Sequence, residues 1–250
     1  MTNPLPWKTA WITGASTGIG REIALQLAAN GVRVAASARS ADKLATLAPN
    51  VLPFPLDVRD AAAMAKAASD IEAQLGAIDL AIFAAGTYTP VAIDQIDPEA
   101  FANTMAVNYQ GVVNGVAAVL PRMLARRSGH LSWIASVAGF RGLPKAASYG
   151  PSKAALINLA ESLKPELELR GVKVSVINPG FVETPLTAQN TFKMPFLMKP
   201  EEAGRLTIEG LAEGKFEIAY PWPFVTMLKI GRILPYNLYF RLIRNSVLKS

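Results

Sequence analysis

Apolar residues recur along this chain in two alternating rhythms. Short, nearly unbroken apolar runs at 9–13, 32–37, 51–56, 80–83, 131–134 and 173–177 have the length and β-branched content of buried strands. Between them lie segments with apolar residues at helical spacing, at 21–29, 61–75, 101–125, 152–170 and 201–213. Strands that alternate with helices predict an α/β fold, a doubly wound parallel sheet covered on both faces, with ligands at the strand C-termini. A chain of 250 residues suits a single such domain. It shows no repeat, low-complexity tract or interdomain linker.

The stretch 100–121 has no charged residue, a length that raises the question of a membrane span. Asn103, Asn108, Gln110 and Asn114 argue instead for a buried helix. The N-terminus lacks a basic start followed by an apolar stretch, so no secretory signal is expected and the cytoplasm is the default.

Composition narrows the chemistry. There is no cysteine, which excludes thiolate nucleophiles and cysteine-ligated metals, and one histidine, which excludes histidine metal clusters. His130 has no candidate acid partner and reads as structural. The leading acid–base candidate is a phenol beside an ammonium. Tyr149 and Lys153, in Ser148-Tyr149-Gly150-Pro151-Ser152-Lys153, share a helix face at i and i+4. A tyrosine ordinarily titrates near pH 10. A cation within roughly 4–6 Å lowers that value, so Lys153 is expected to tune Tyr149 for proton transfer.

The first strand, Thr9-Ala10-Trp11-Ile12-Thr13, runs into Gly14-Ala15-Ser16-Thr17-Gly18-Ile19-Gly20 and then into a helix ended by Asn30-Gly31. Strand, glycine turn and helix are the setting of a dinucleotide site. Glycines allow close backbone approach, the helix N-terminus offers free N–H groups to pyrophosphate, and Ser16 and Thr17 can add hydroxyl donors. An acidic residue after the second strand would bind the 2′-hydroxyl of NAD. Here the run is Ser37-Ala38-Arg39, and a guanidinium suits a 2′-phosphate, so the expectation is NADP over NAD with Arg39 the main determinant.

Together these motifs resemble the short-chain dehydrogenase/reductase family, with its Rossmann-like fold, from about residue 8 to about residue 184. Thr13-Gly14-x-x-x-Gly18-Ile19-Gly20 is similar to the family's cofactor motif in its three-residue-gap form. Asp57-Val58 resembles the pair that contacts adenine. Phe83-Ala84-Ala85-Gly86 stands where many members have two asparagines before Ala-Gly, so the glycine remains and the bracing amides are gone. Asn108, Ser136, Tyr149 and Lys153 match the catalytic tetrad. Pro179, Gly180, Val182 and Thr184 lie in a segment similar to the one that closes over the nicotinamide.

The resemblance implies an NADP-dependent oxidoreductase that interconverts a carbonyl and a secondary alcohol. Tyr149 would be the general acid/base. Lys153 would also bind the nicotinamide ribose, Ser136 would hydrogen-bond the reacting oxygen, and Asn108 would hold a water linking Lys153 to solvent. It further implies a homodimer or homotetramer, with the uncharged helix and the Tyr149 helix in the dimer contact. A non-catalytic NADP-binding scaffold is the alternative, and the intact tetrad speaks against it. An epimerase or dehydratase is disfavoured by the glycine spacing and the short chain.

Two segments fall outside these motifs. Residues 185–215 read as a substrate lid region, and Phe192, Met194, Phe196, Leu197 and Met198 in it suit a hydrophobic substrate. Residues 221–250 form a basic, aromatic extension. No acid follows Glu217, while Lys229, Arg232, Arg241, Arg244 and Lys249 are spread among large apolar residues. Pro221, Pro223 and Pro235 are expected to break the run. The extension reads as a helix packed over the substrate pocket or another subunit, or as a peripheral membrane-surface segment. Nucleic acid is not an expected partner, because the cations are few.

Overall fold

The computed structural model describes residues 4–246. In chain order the elements are β1 (Thr9–Thr13), α1 (Gly18–Ala29), β2 (Arg33–Ser37), α2 (Ala41–Ala45), β3 (Val51–Pro53), α3 (Ala61–Leu75), β4 (Leu80–Phe83), α4 (Pro98–Met105), α5 (Gly111–Ala125), β5 (Gly129–Ile134), α6 (Tyr149–Leu169), β6 (Val172–Pro179), α7 (Pro200–Ala212), β7 (Glu217–Tyr220), α8 (Trp222–Ile233) and α9 (Tyr236–Ser246). The strands form one seven-stranded sheet in the order β3-β2-β1-β4-β5-β6-β7, every pairing parallel.

Strand alternation divides the core. Trp11, Ala35, Ala81, Phe83 and Trp133 face α3, α5 and α6, while Ala10, Ile12, Val34, Ala36, Leu80 and Ile82 face α1, α2 and α7. Both faces are buried, which is why these strands read as continuous apolar runs rather than alternating ones. Trp11 and Phe83 meet edge to face at 6.0 Å across neighbouring strands.

The chain winds outward from β1 to β3, then returns to lay β4 on the other side of β1. The loops leaving β1 and β4 therefore diverge, opening a crevice at the strand C-termini. Among the described residues no helix is long and apolar enough to cross a membrane. The uncharged stretch is helical throughout, as expected, with α4 passing through a π turn, Ala106–Gln110, into α5. Its amides bind neighbouring elements: Asn114 Nδ2 donates to the Val58 carbonyl at 2.9 Å, and Asn103 Oδ1 accepts from Arg59 at 3.3 Å.

The prolines break the extension into short helices, as expected, and also start them: Pro221 caps α8, Pro223 lies in its first turn, and Pro235 separates α8 from α9. Lys249 lies outside the described residues.

Candidate active site

One cleft of about 390 Å³ runs across the C-terminal edge of the sheet. Each strand from β1 to β6 delivers residues to it as it ends. Gly14, Ser16, Thr17, Gly18, Ile19 and Gly20 follow β1, and Arg39 follows β2. Asp57 and Val58 follow β3, Ala84, Ala85 and Gly86 follow β4, Ser136 follows β5, and Pro179, Gly180, Val182 and Thr184 close β6. Tyr149 and Lys153, from the first turns of α6, line the same cleft.

Two expected site residues do not line it. Ser37 is fully buried, and its hydroxyl accepts from the Trp11 indole at 2.9 Å. As the last residue of β2 it points into the sheet, and the chain turns toward the cleft only after it. Asn108 lies behind the cleft wall. Its Oδ1 accepts from Thr87 N at 2.7 Å, and its Nδ2 donates to Thr87 O at 3.0 Å and to Ser152 Oγ at 2.9 Å. Ser152 Oγ in turn donates to the Tyr149 carbonyl at 2.7 Å. Both Nδ2 hydrogens and one Oδ1 lone pair of this amide are thus engaged by Thr87 and Ser152. Asn108 ties the loop after β4 to the first turn of α6. Thr87, Asn103, Leu186 and Thr187 line the cleft without having been expected there. They carry no motif, and only their neighbours in space mark them.

Ser136 and Tyr149 are brought together by a close helix–turn contact. Ser136 caps a short 3-10 turn, Val137–Gly139, accepting from Ala138 N at 3.1 Å. That turn lies on α6 so closely that a Cβ on Gly139 would sit 2.7 Å from the Lys153 carbonyl carbon. The Ser136 hydroxyl donates to the Pro179 carbonyl at 3.4 Å and lines the same cleft as Tyr149. Lys153 is buried, its Nζ donates to the Ile134 carbonyl at 2.7 Å, and it stands 5.4 Å from the centre of the Tyr149 ring. Tyr88 meets Tyr149 edge-on at 5.2 Å.

With this geometry fixed, comparison with known proteins is decisive. Residues 8–194 match the family model described as short chain dehydrogenase. The chain belongs to the short-chain dehydrogenase family. An oxidoreductase of Myxococcus xanthus is 38% identical over 242 residues, covering 94% of this chain and 96% of that protein. A short-chain dehydrogenase from Burkholderia cenocepacia, solved in complex with NADP, is 26% identical with a TM-score of 0.83, over 95% of this chain and 97% of that one. One from Streptomyces avermitilis is 25% identical with a TM-score of 0.82, over 97% and 98%. The protein is thus an NAD(P)-dependent short-chain dehydrogenase/reductase.

Within this dehydrogenase the electrostatics correct one expectation. Burial pushes the Tyr149 phenol up to about 12, against the lowering effect of the neighbouring Ser136 hydroxyl. Burial also brings the Lys153 ammonium down to about 7. Desolvation therefore outweighs the expected tuning of the tyrosine by the lysine. Near neutrality Tyr149 carries its proton. Asp57 is held below the usual carboxylate range by its hydrogen bonds to Arg59. His130 behaves as the structural residue expected: it is buried, bonded to Ser175 Oγ at 2.8 Å, and pushed down to about 4 by desolvation.

The Lys153 shift has a measurable consequence. Unfolded, the lysine keeps its proton up to its ordinary 10.5; folded, it releases it above about 7. Between these values the unfolded chain binds more protons, so stability climbs with pH, and below about 7 the full cost of burying the ammonium is present. Lys153→Met should therefore raise Tm more at pH 6 than at pH 9. Equal shifts at the two pH values, measured by thermal melts, would mean that the ammonium is not desolvated.

Proposed function

We propose that this dehydrogenase uses NADP and interconverts a carbonyl with a secondary alcohol, acting chiefly as a reductase on a hydrophobic substrate. The observation that carries this reading is that Tyr149, Lys153 and Ser136 line the same cleft as the glycine turn. Reduction needs a proton donor at the carbonyl oxygen, and a phenol held near 12 keeps its proton until one is demanded.

The cleft fits a dinucleotide on its own features. Gly14 lies so close to the Ala84–Ala85 backbone that any side chain would fill the turn. Thr17 makes no capping bond with its side chain, which leaves the first N–H groups of α1 open to an anion. Ser16, Thr17 and these amides would hold pyrophosphate, Asp57 and Val58 would flank adenine, and Pro179 to Thr184 would cover the nicotinamide. Arg39 is exposed at the cleft, with no acidic partner among the described residues, whereas neighbouring Arg59 is paired with Asp57. Arg39 is therefore the guanidinium available to a 2′-phosphate.

NADPH, when bound, supplies the hydride to the carbonyl carbon. Tyr149 gives its phenolic proton to the carbonyl oxygen, and the Ser136 hydroxyl donates a hydrogen bond to the same oxygen as charge develops. Lys153, held by the Ile134 carbonyl, stabilises the phenolate left on Tyr149 and would bind the ribose hydroxyls. Asn108 keeps the Thr87 loop and the first turn of α6 in register, a positioning role.

On the substrate side, residues 185–215 would act as a lid. Phe192, Phe196 and Leu197 are exposed there, and a second hollow of about 190 Å³ is lined by Tyr88, Val91, Lys145 and Phe192 among others. Turnover of NADPH against a panel of apolar ketones tests the activity. No oxidation of NADPH with any ketone, despite tight binding, would favour a scaffold. Arg39→Ala tests the cofactor. Charge-assisted hydrogen bonds contribute about 1.5–3 kcal/mol, so NADPH affinity should fall about 10–100-fold while NADH affinity is unchanged. A constant affinity ratio would remove Arg39 from the site.

A further inference from the structure

The C-terminal helices carry an apolar face that the fold does not use. Among the described residues, eight of the fifteen exposed large apolar side chains lie between Trp222 and Leu242. On α8, Phe224 and Val225 turn inward, while Trp222, Ile230 and Ile233 share an outward face by helical spacing. On α9, Tyr239 is buried, and Tyr236 and Phe240 on one flank stay exposed, as do Leu238 and Leu242 on the other. Arg241 and Arg244 fall on the remaining, polar side.

This face is firmly mounted. Arg141, from the loop between Ser136 and Tyr149, donates to the Gly231 carbonyl at 2.5 Å and the Leu234 carbonyl at 2.7 Å, where α8 ends. Its guanidinium lies 4.0 Å from the centre of the Tyr239 ring and 4.9 Å from that of Tyr236. The Tyr239 hydroxyl donates to the Gly142 carbonyl at 2.6 Å. The exposed residues are thus presented by two anchored helices.

Charge decides what the face fits. No acid follows Glu217, and Glu217 is itself paired with Lys229. Arg232, Arg241 and Arg244 are exposed and have no acidic partner among the described residues. A twofold contact with a second copy would set this patch against itself, cation near cation. An anionic lipid surface complements both the arginines and the apolar side chains, which are the two components of interfacial helix binding. On its inner side α8 reaches toward the second hollow: Phe224 stacks on Phe181 at 5.4 Å and meets Phe196 at 6.2 Å, and Phe181 meets Phe192, which lines that hollow, at 5.8 Å.

We propose that α8 and α9 form a docking face for an anionic bilayer surface. Vesicle binding tests this without any turnover, so its failure is separable from failure of the oxidoreductase reading. The full chain should float with phosphatidylcholine vesicles containing about one-third phosphatidylglycerol, not with phosphatidylcholine alone, and less so as salt rises. Each basic residue near such a surface contributes about fivefold. The combined change Arg232→Gln, Arg241→Gln and Arg244→Gln should therefore weaken partitioning by roughly 100-fold. Ile230→Ser with Ile233→Ser should abolish flotation at an unchanged Tm. The proposal is overturned if the wild-type chain does not float with anionic vesicles, or if the arginine variant floats equally well. It is also overturned if sedimentation shows a dimer that Ile230→Ser with Ile233→Ser dissociates, without vesicle binding, because the face then belongs to a second copy.

Discussion

Tyr149→Phe should lower ketone reduction by about 10²–10⁴-fold, the range lost when a positioned general acid is removed. NADPH affinity should change little. The ring that remains keeps its edge contact with Tyr88, and the helix start is set by bonds that do not use the phenol: Ser152 Oγ to the Tyr149 carbonyl, and Gly150 N to the Ala146 carbonyl at 2.7 Å. Steady-state kinetics beside a fluorescence titration of NADPH separates the two quantities. Turnover within a few fold of wild type would transfer the proton to another donor. The pH profile should follow. With the phenol at about 12, the donor is protonated throughout the neutral range, so its own titration should not limit reduction below about pH 10.

Gly14→Ala should have the next largest effect, and on the fold as much as on the site. Gly14 has φ +67°, a left-handed conformation that L side chains rarely adopt. A Cβ there would lie 2.5 Å from the Ala85 nitrogen and 2.6 Å from the Ala84 carbonyl carbon. These are backbone atoms at the end of β4, the strand hydrogen-bonded to β1, so neither side can yield without opening the sheet. Left-handed strain of about 1–2 kcal/mol and overpacking of about 1–3 kcal/mol add in the same direction. For a chain of this size a loss of about 3 kcal/mol lowers Tm by roughly 6–12 °C. NADPH binding should be lost with it, since the displaced turn is the one that would hold pyrophosphate. An unchanged Tm in calorimetry would show that the turn accommodates a side chain.

The same close approach recurs at Gly20, where a side chain would begin within 3.3 Å of Ala84 Cβ, so the glycine turn and the end of β4 are packed against each other.

Much was readable from local pattern. β1, α3 and β4 have the expected bounds because each is a periodic run closed by clear signals, such as Asp60 capping α3 through Ala63 N at 2.9 Å. The glycine turn was legible because its chemistry is backbone chemistry. Tyr149 and Lys153 were legible because one helix turn joins them. Less was readable where meaning lies in distant partners. α2 is too short for a helical period to show, and β7, which opens on Glu217, has no unbroken apolar run. The tail prolines carry opposite meanings inside a helix and at its start, and the chain alone does not say which.

The sequence by itself determined the doubly wound sheet, the glycine turn and the helical pairing of phenol with ammonium, because apolar period and short-range spacing act within one or two elements. Tertiary structure decided which of those groups meet. It turned Ser37 inward to Trp11, consumed the Asn108 amide on Thr87 and Ser152, and clamped α8 and α9 through Arg141. It also reversed the expected charge balance at Tyr149 and Lys153. Desolvation depends on every neighbour that excludes water, and those neighbours come from strands and loops far apart in the chain.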